Sequence, residues 1–307
     1  MGQNNKCLSY LAFGWLNLLS PMTPFLAFRR AAIETVSHCN HRCVYCPVSV
    51  APPANAIMSE PVFHQVLNRL SEYRSVWERI SLNHYGEPTL DPDLVPRIQL
   101  CLECTPQVLI NTNGGSSLRR HFPALATIPN DHRQSITWNI NVPTPNYAVY
   151  GQLHGVPGSV LNVVMRNIDE LKTLGYPVMI NLQLNRFTRK SDADKLAKAY
   201  GVQVNICQST SRAGSIGVGK EVAIDPKRLA GCAWKRPYEV VHIGVNGEVF
   251  LCCEDFTKSV QFGSLLDQPV RKVMESESAT IAFAKLHGLI EPEAGFPCLK
   301  CQHAIQK

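Results

Sequence analysis

The chain is 307 residues long, 45% hydrophobic and 18% charged, with a formal charge of +6. These values describe a globular protein and exclude disordered and fibrous classes; without a basic run, the modest charge gives no support to a nucleic-acid interface. Twelve cysteines are too sparse for a small disulfide scaffold, and their grouping as short C-x2-C units fits metal binding in a reducing, cytoplasmic compartment.

Residues 1–30 form an apolar extension. Leu8 to Leu19 is nearly continuous apolar sequence, but Pro21 and Pro24 interrupt it short of the roughly 20 residues that a spanning helix needs. Only Lys6 precedes the run, which is a poor secretory signal. A helix packed on the core or lying as a lid is expected, with contact to a membrane surface or partner as the alternative.

From residue 31 short apolar runs alternate with helical stretches, a βα pattern that predicts a parallel sheet. Strands are expected at Ala32 to Val36, Arg79 to Asn83, Gln107 to Ile110, Ser135 to Asn141, Val178 to Leu182 and Val202 to Ile206. Helices are expected at Glu60 to Tyr73, Asp91 to Cys101, Ser116 to Thr127, Ser159 to Leu174 and Ser191 to Tyr200. Ser59, before Glu60-Pro61, and Ser191 are read as N-caps, and Gly201 as a helix stop. Six such units read as a partial barrel, whose chemistry belongs at the C-terminal ends of its strands.

After the first strand stands Cys39-Asn40-His41-Arg42-Cys43-Val44-Tyr45-Cys46, three thiols spaced C-x3-C-x2-C. Thiolates are soft ligands for zinc or iron–sulfur clusters, and both usually take four protein ligands. A closed zinc site needs a fourth ligand from elsewhere, whereas a four-iron cluster held by three cysteines keeps one iron open. After the second strand comes Tyr85-Gly86-Glu87-Pro88-Thr89-Leu90, and after the third Asn111-Thr112-Asn113-Gly114-Gly115. Taken singly, both are ordinary turns in which glycine permits close backbone approach. Asn139 and Asn141 alternate at the mouth of the fourth strand, and Ser211-Arg212-Ala213-Gly214 follows the sixth, where an arginine could pair with a carboxylate. Cys101 and Cys104 fall at the barrel's bottom and are read as structural, as are the isolated Cys7 and Cys207.

Beyond Gly231 the cysteines are Cys232, Cys252, Cys253, Cys298 and Cys301. Val240 to Gly244 and Glu248 to Leu251 flank Val245-Asn246-Gly247, a strong hairpin signal, and Leu266 to Glu275 reads as a short helix. Four of these thiols can surround one ion or cluster, so a zinc ribbon and an iron–sulfur site both remain open.

The first cysteine motif, with Tyr45 before its third cysteine, resembles the signature of the radical S-adenosylmethionine (radical SAM) superfamily. The ordered turns at Gly86-Glu87-Pro88 and Asn111 to Gly114 are similar to that family's segments for the SAM amino group and ribose. Tyr85 stands where many members have a glycine, and Asn139 and Asn141 where relatives often show Ser and Asp. The C-terminal cysteines resemble a SPASM/twitch extension with one auxiliary cluster. The resemblance implies an α/β fold: a partial (β/α)6 TIM-like barrel over residues 31–215 and a small hairpin-plus-helix module over 216–307. It implies a [4Fe-4S] cluster on Cys39, Cys43 and Cys46, with SAM at the open iron contacted by Tyr45, Gly86, Glu87, Pro88, Asn111, Thr112, Asn113, Gly114, Asn139, Asn141 and Arg212. It further implies an auxiliary [4Fe-4S] cluster on Cys232, Cys252, Cys298 and Cys301, Cys253 being a spare thiol or an alternative ligand. Such an enzyme cleaves SAM with an electron from a donor such as flavodoxin or ferredoxin and abstracts hydrogen from its substrate. Peptide-modifying relatives often carry a leader-binding N-terminal domain, and about 30 residues precede the barrel here. A sugar, alcohol or amine is therefore the expected substrate, peptide maturation the alternative, and a non-catalytic metal or electron-transfer module the reading from another class.

Overall fold

A computed structural model describes residues 28–307, and the expectations for Leu8 to Leu19 and for Cys7 lie outside the described residues. Six strands, β1 (Arg30–Ile33), β2 (Arg79–Leu82), β3 (Val108–Thr112), β4 (Ile136–Asn141), β5 (Val178–Leu184) and β6 (Gln203–Gln208), pair in parallel in chain order. Between them run α1 (Glu60–Ser71), α2 (Leu94–Leu102), α3 (Tyr147–His154), α4 (Val160–Thr173) and α5 (Lys190–Tyr200). The result is the α/β, partial TIM-like barrel that six successive βα units dictate.

Side-chain alternation separates the barrel's outside from its lumen. In β3 and β4 the fully buried residues are Val108, Ile110, Ile136, Trp138 and Ile140, all in the main core, while Leu109, Asn111, Thr137, Asn139 and Asn141 alternate with them, half-buried. The helices close the outer side. α1 buries Phe63, Val66, Leu67 and Leu70, the i, i+3, i+4, i+7 stripe of an amphipathic helix.

Several boundaries differ from expectation for local reasons. Ser116 to Thr127 is a 3-10 stretch, Ser116–His121, followed by one α-turn, Phe122–Leu125, because Pro123 has no N–H to continue a helix through it. Ser59 occupies its N-cap position without a side-chain bond, and α5 starts at Lys190, one residue ahead of the expected cap Ser191. Gly201 ends α5 at φ +60°. α3 has no counterpart among the expected helices; Asn146 caps it by accepting from Val149 N at 3.0 Å, and Gly155 stops it at φ +64°.

The hairpin is not a separate layer. β8 (Val240–Ile243) pairs in parallel with β1, from Arg30↔Val240 to Ile33↔Ile243, and β9 (Glu248–Phe250) returns antiparallel, followed by β10 (Gln261–Ser264). A single nine-stranded sheet results. Gly247 at φ +82° makes the hairpin turn. β7 (Leu229–Cys232) and β11 (Ala304–Gln306) form a second sheet in which Cys232 opposes Ala304. The helix expected from Leu266 starts only at Val270, after Pro269, whose ring bars helical geometry in the residue before it. Among the described residues, no helix is long and apolar enough to cross a membrane.

Candidate active site at the barrel mouth

The cysteine loop rests directly on the turn after β2. A Cβ added to Gly86 would lie 1.7 Å from the Val36 carbonyl oxygen, so only glycine lets the two backbones meet. Glu87 N then donates to His38 O at 2.9 Å. The Glu87 carboxylate, 3% exposed, accepts four hydrogen bonds: from Thr89 N (3.0 Å), Thr89 Oγ1 (2.7 Å), Thr112 Oγ1 (2.5 Å) and Asn113 N (2.8 Å). Burial raises its pKa above the ordinary carboxylate value despite these donors. Glu87 thus locks the turn after β2 to the turn after β3.

The second turn is held as firmly. Asn113 donates to Asn40 Oδ1 at 2.8 Å and accepts from Gly115 N at 2.8 Å, tying the turn to the cysteine loop. Gly114 has φ +68°, and a Cβ there would meet Ile140 Cγ2 at 2.6 Å. From α4, Asn167 donates to the carbonyls of Gly114 and Gly115 at 2.8 and 2.9 Å. Asn167 is not among the expected site residues because a buried amide on an amphipathic helix carries no motif. Of the residues the resemblance singled out, Gly86, Glu87, Thr112, Asn113 and Gly114 are therefore engaged in building the loops, and Pro88 opens a buried 3-10 turn, Pro88–Leu90.

The three loop thiols share a low-dielectric, mutually repelling environment. Burial, then the Glu87 charge, pushes Cys39 up to about 12; burial, then Cys46 and Cys39, raises Cys43; burial raises Cys46, with Arg212 and Arg42 among the opposing influences. Such thiols become thiolates when a metal supplies the compensating charge. Among the described residues, the only group of three or more such ligand atoms lying within 4.8 Å of one another is His41, Cys43 and His154. Three cysteines on one loop suit a four-iron cluster that keeps one iron open, whereas a closed zinc site takes four protein ligands. The donor set fits a [4Fe-4S] cluster.

The C-terminus of α3 cradles this loop. Its orphan carbonyls at His154 and Leu153 accept from Arg42 N and Val44 N, each at 2.9 Å. A Cβ on Gly155 would lie 2.8 Å from Arg42 O, so the helix stop is also a close approach. The fully buried His154 ring contacts Tyr45 Oη (2.6 Å, through Nε2) and His41 (3.1 Å, Nδ1 to Nδ1), and Asn141 donates to Tyr45 Oη at 3.1 Å.

The lumen below is lined by amides. Asn139 donates to Asn111 Oδ1 at 2.6 Å, while Asn83 Oδ1, Asn139 Oδ1 and Asn141 Oδ1 are buried without a partner. A cavity of about 660 Å³ opens at the opposite end of the barrel, by the strands' N-terminal ends, where Arg29, Arg30, Glu78, Arg79 and Glu239 line it, and reaches up to Asn139. Arg212, expected to face a ligand carboxylate, instead pairs with Glu254 at 3.0 Å, and Thr210 also donates to Glu254 at 2.8 Å. The buried Glu254 needs a counter-charge, which Nη1 supplies, while Arg212 Nε is buried without a partner.

On the other side of the lumen His242, on β8, lies 5.2 Å from His84, ring to ring, with both its nitrogens buried and unpartnered. Burial lowers both pKa values, His84 to about 3. An imidazole kept neutral when folded but protonated when unfolded loses stability as pH falls below about 6.5. His242→Phe is expected to flatten the fall in unfolding free energy between pH 6.5 and 5 by up to about 1.4 kcal/mol per pH unit, measured by denaturant titration against wild type.

At the second cysteine group the β7–β11 register sets Cys232 beside the chain's end, three residues past Cys301, and Ala233 N donates to His303 O at 2.8 Å. Cys298 is raised by burial, then by Cys301 and Cys232. Cys252 and Cys253 hydrogen-bond to each other; the Cys252 contact, then Arg236 at 2.6 Å from the sulfur, lowers Cys253. Cys101 and Cys104 are buried in the main core, and Cys207 donates to Asn181 Oδ1 at 3.0 Å.

Comparison with known proteins agrees with this geometry. Residues 33–198 match the family model of the radical SAM superfamily, and residues 232–302 match that of an iron-sulfur cluster-binding domain, SPASM. The S-adenosyl-L-methionine-dependent 2-deoxy-scyllo-inosamine dehydrogenase of Niallia circulans is 23% identical over 261 residues, 84% of this chain and 86% of the relative. The structure of BtrN with AdoMet and 2-DOIA aligns at a TM-score of 0.52 and 20% identity, covering 85% of this chain and 87% of that one. Streptococcus suis SuiB bound to precursor peptide SuiA aligns at 0.68 and 14% identity, covering 98% and 75%. With its family model spanning more than half its length, the chain belongs to the radical SAM superfamily as an iron–sulfur enzyme that uses SAM, a SAM-binding [4Fe-4S] cluster and an auxiliary cluster.

Proposed function

We propose that Cys39, Cys43 and Cys46 hold the SAM-binding cluster, and that the enzyme oxidises a small, hydroxyl-rich molecule bound in the barrel lumen. In this reading residues 31–215 carry the cleavage centre and residues 216–307 the auxiliary one. When bound, the cluster and SAM supply a 5′-deoxyadenosyl radical that takes a hydrogen atom from the substrate. Asn111, Asn139 and Asn141 face SAM and substrate; Gly86, Glu87, Pro88, Thr112, Asn113 and Gly114 fix the loops around them. Tyr45 closes the loop from behind, and Arg212 with Glu254 forms the wall toward the auxiliary site. There Cys232, Cys298 and Cys301 are joined by a thiol from the Cys252–Cys253 pair.

One observation carries the substrate class: three buried amide oxygens, on Asn83, Asn139 and Asn141, have no donor. Leaving such groups unmet costs about 1–3 kcal/mol each, so they call for a polar ligand. Whichever way each amide is turned, it offers one unmet group, and a hydroxyl satisfies either because it both donates and accepts. The similarity to a dehydrogenase of an aminocyclitol supports the same class.

The test is a substrate screen of anaerobically reconstituted enzyme with dithionite in place of a flavodoxin- or ferredoxin-type donor. Cyclitols, sugars or amino sugars are expected to stimulate 5′-deoxyadenosine formation and to lose two hydrogens by mass, one as the atom taken by the radical and one as a proton whose electron would pass to the auxiliary cluster. Stimulation by peptides alone would contradict the assignment and favour peptide maturation.

A further inference from the structure

The Tyr45 hydroxyl, enclosed between the cysteine loop, β4 and α3, lies among three groups. Asn141 donates to it at 3.1 Å, His154 Nε2 lies at 2.6 Å, and the Cys43 sulfur adjoins the same side chains, within 4.8 Å of a ring nitrogen of His154 and of His41. A phenol has one proton and two lone pairs, so the partners constrain one another. With Cys43 as a metal-bound thiolate, the sulfur can only accept, and the Tyr45 O–H is the donor available to it. The Tyr45 oxygen then accepts from both Asn141 and His154, which places the His154 proton on Nε2. His154 Nδ1 in turn accepts from His41 Nδ1–H at 3.1 Å. Every link has one donor and one acceptor, and no proton is missing or duplicated.

We propose that His41, His154 and Tyr45 form a hydrogen-bond relay that aims an O–H at the Cys43 sulfur and thereby raises the reduction potential of the SAM-binding cluster. The relay rests on the reading of Cys43 as a cluster ligand. Donors to cluster sulfurs stabilise the reduced, more negative state, which is how outer hydrogen bonds tune such centres. The surroundings hold the relay rigid. His154 is fully buried, the Tyr150 ring packs on it at a centroid distance of 4.3 Å, and the two backbone bonds from Arg42 and Val44 fix α3 against the loop. Although His41, Cys43 and His154 are close enough to hold a single ion, both nitrogens of His154 are engaged by side chains. The group acts as a positioning device for a hydrogen bond.

The test is an EPR-monitored redox titration of the holoenzyme, following the signal that changes when SAM is added, so that the auxiliary cluster is set aside. Tyr45→Phe, which removes only the hydroxyl, is expected to keep full iron while its reduced-to-oxidised ratio at a fixed potential falls about tenfold, equivalent to about 59 mV for one electron. His154→Leu should shift the same way. His154→Gln, whose amide nitrogen donates in place of Nε2, should restore most of the wild-type value. A wild-type potential in Tyr45→Phe and His154→Leu at full iron content would overturn the relay. Absence of any SAM-responsive signal in the wild type would instead overturn the ligand assignment and the relay with it.

Discussion

Cys43→Ala is expected to lower 5′-deoxyadenosine formation at least about 1000-fold, equivalent to about 4 kcal/mol of activation free energy. Cys43 is the middle thiol of three that share one loop, and the nearby histidine on α3 and carboxylate on the turn after β2 are already engaged. His154 is engaged by Tyr45 and His41, and Glu87 is already committed to four donors. The variant should retain only auxiliary iron. Cys298→Ala is the contrasting case: the second site loses a ligand, but the barrel mouth is untouched, so SAM cleavage uncoupled from substrate oxidation should survive. Cleavage by Cys43→Ala at the wild-type rate would refute the assignment of the first site.

Gly86→Ala should be the most damaging single methyl in the barrel. Its Cβ would stand 1.7 Å from Val36 O and 2.4 Å from Val36 C, both backbone atoms that cannot rotate away. Either the turn after β2 or the start of the cysteine loop must move, and Glu87 would leave its four donors. A loss of about 3 kcal/mol or more is expected, at or beyond the upper end of ordinary overpacking. Gly175→Ala is the control. At φ +83° with nothing within 4 Å, it meets only the backbone cost of the left-handed region, about 1–2 kcal/mol. Thermal unfolding of the two variants, with iron content, checks the ranking; equal losses would show that the approach at Gly86 does not matter.

The cysteine loop and the two glycine turns were legible because their chemistry fixes residue type and spacing locally. Strand order followed for the same reason: each parallel strand needs a crossover, and the crossovers alternate visibly with apolar runs. What the sequence hid was tertiary. α3 is two turns long, and its core residues Tyr150, Leu153 and His154 make too short a stripe to stand out, yet it carries the carbonyls and the imidazole that hold the cysteine loop. Asn167 acts from a helix face otherwise read as packing. Arg212 looked available to a ligand because its partner, Glu254, lies 42 residues away in sequence. The parallel pairing of β8 with β1 joins residues about 210 apart, a register that local pattern does not specify.

The continuous sheet has a functional consequence. β8 lies directly beside β1, and the cysteine loop follows β1 while Cys252 and Cys253 follow β9, the partner of β8. Lys258 reinforces this junction by pairing with both Glu34, just after β1, and Glu248 on β9. Burial raises the Glu34 pKa, and the ion pair opposes that rise. Removing Lys258 would leave two carboxylates unpaired in a buried setting, which is strongly destabilising. The cysteine loop and the Cys252–Cys253 pair thus follow strands of one continuous sheet, while Cys232 lies on the second sheet.

The central claim is that this chain cleaves SAM at the Cys39/Cys43/Cys46 centre. Its most direct test is metal analysis and 5′-deoxyadenosine release from the anaerobically reconstituted, dithionite-reduced protein. The structure predicts about eight irons per chain, as two four-iron clusters, and release of 5′-deoxyadenosine that depends on SAM and on Cys43. Zinc at both cysteine sites with no 5′-deoxyadenosine would contradict it.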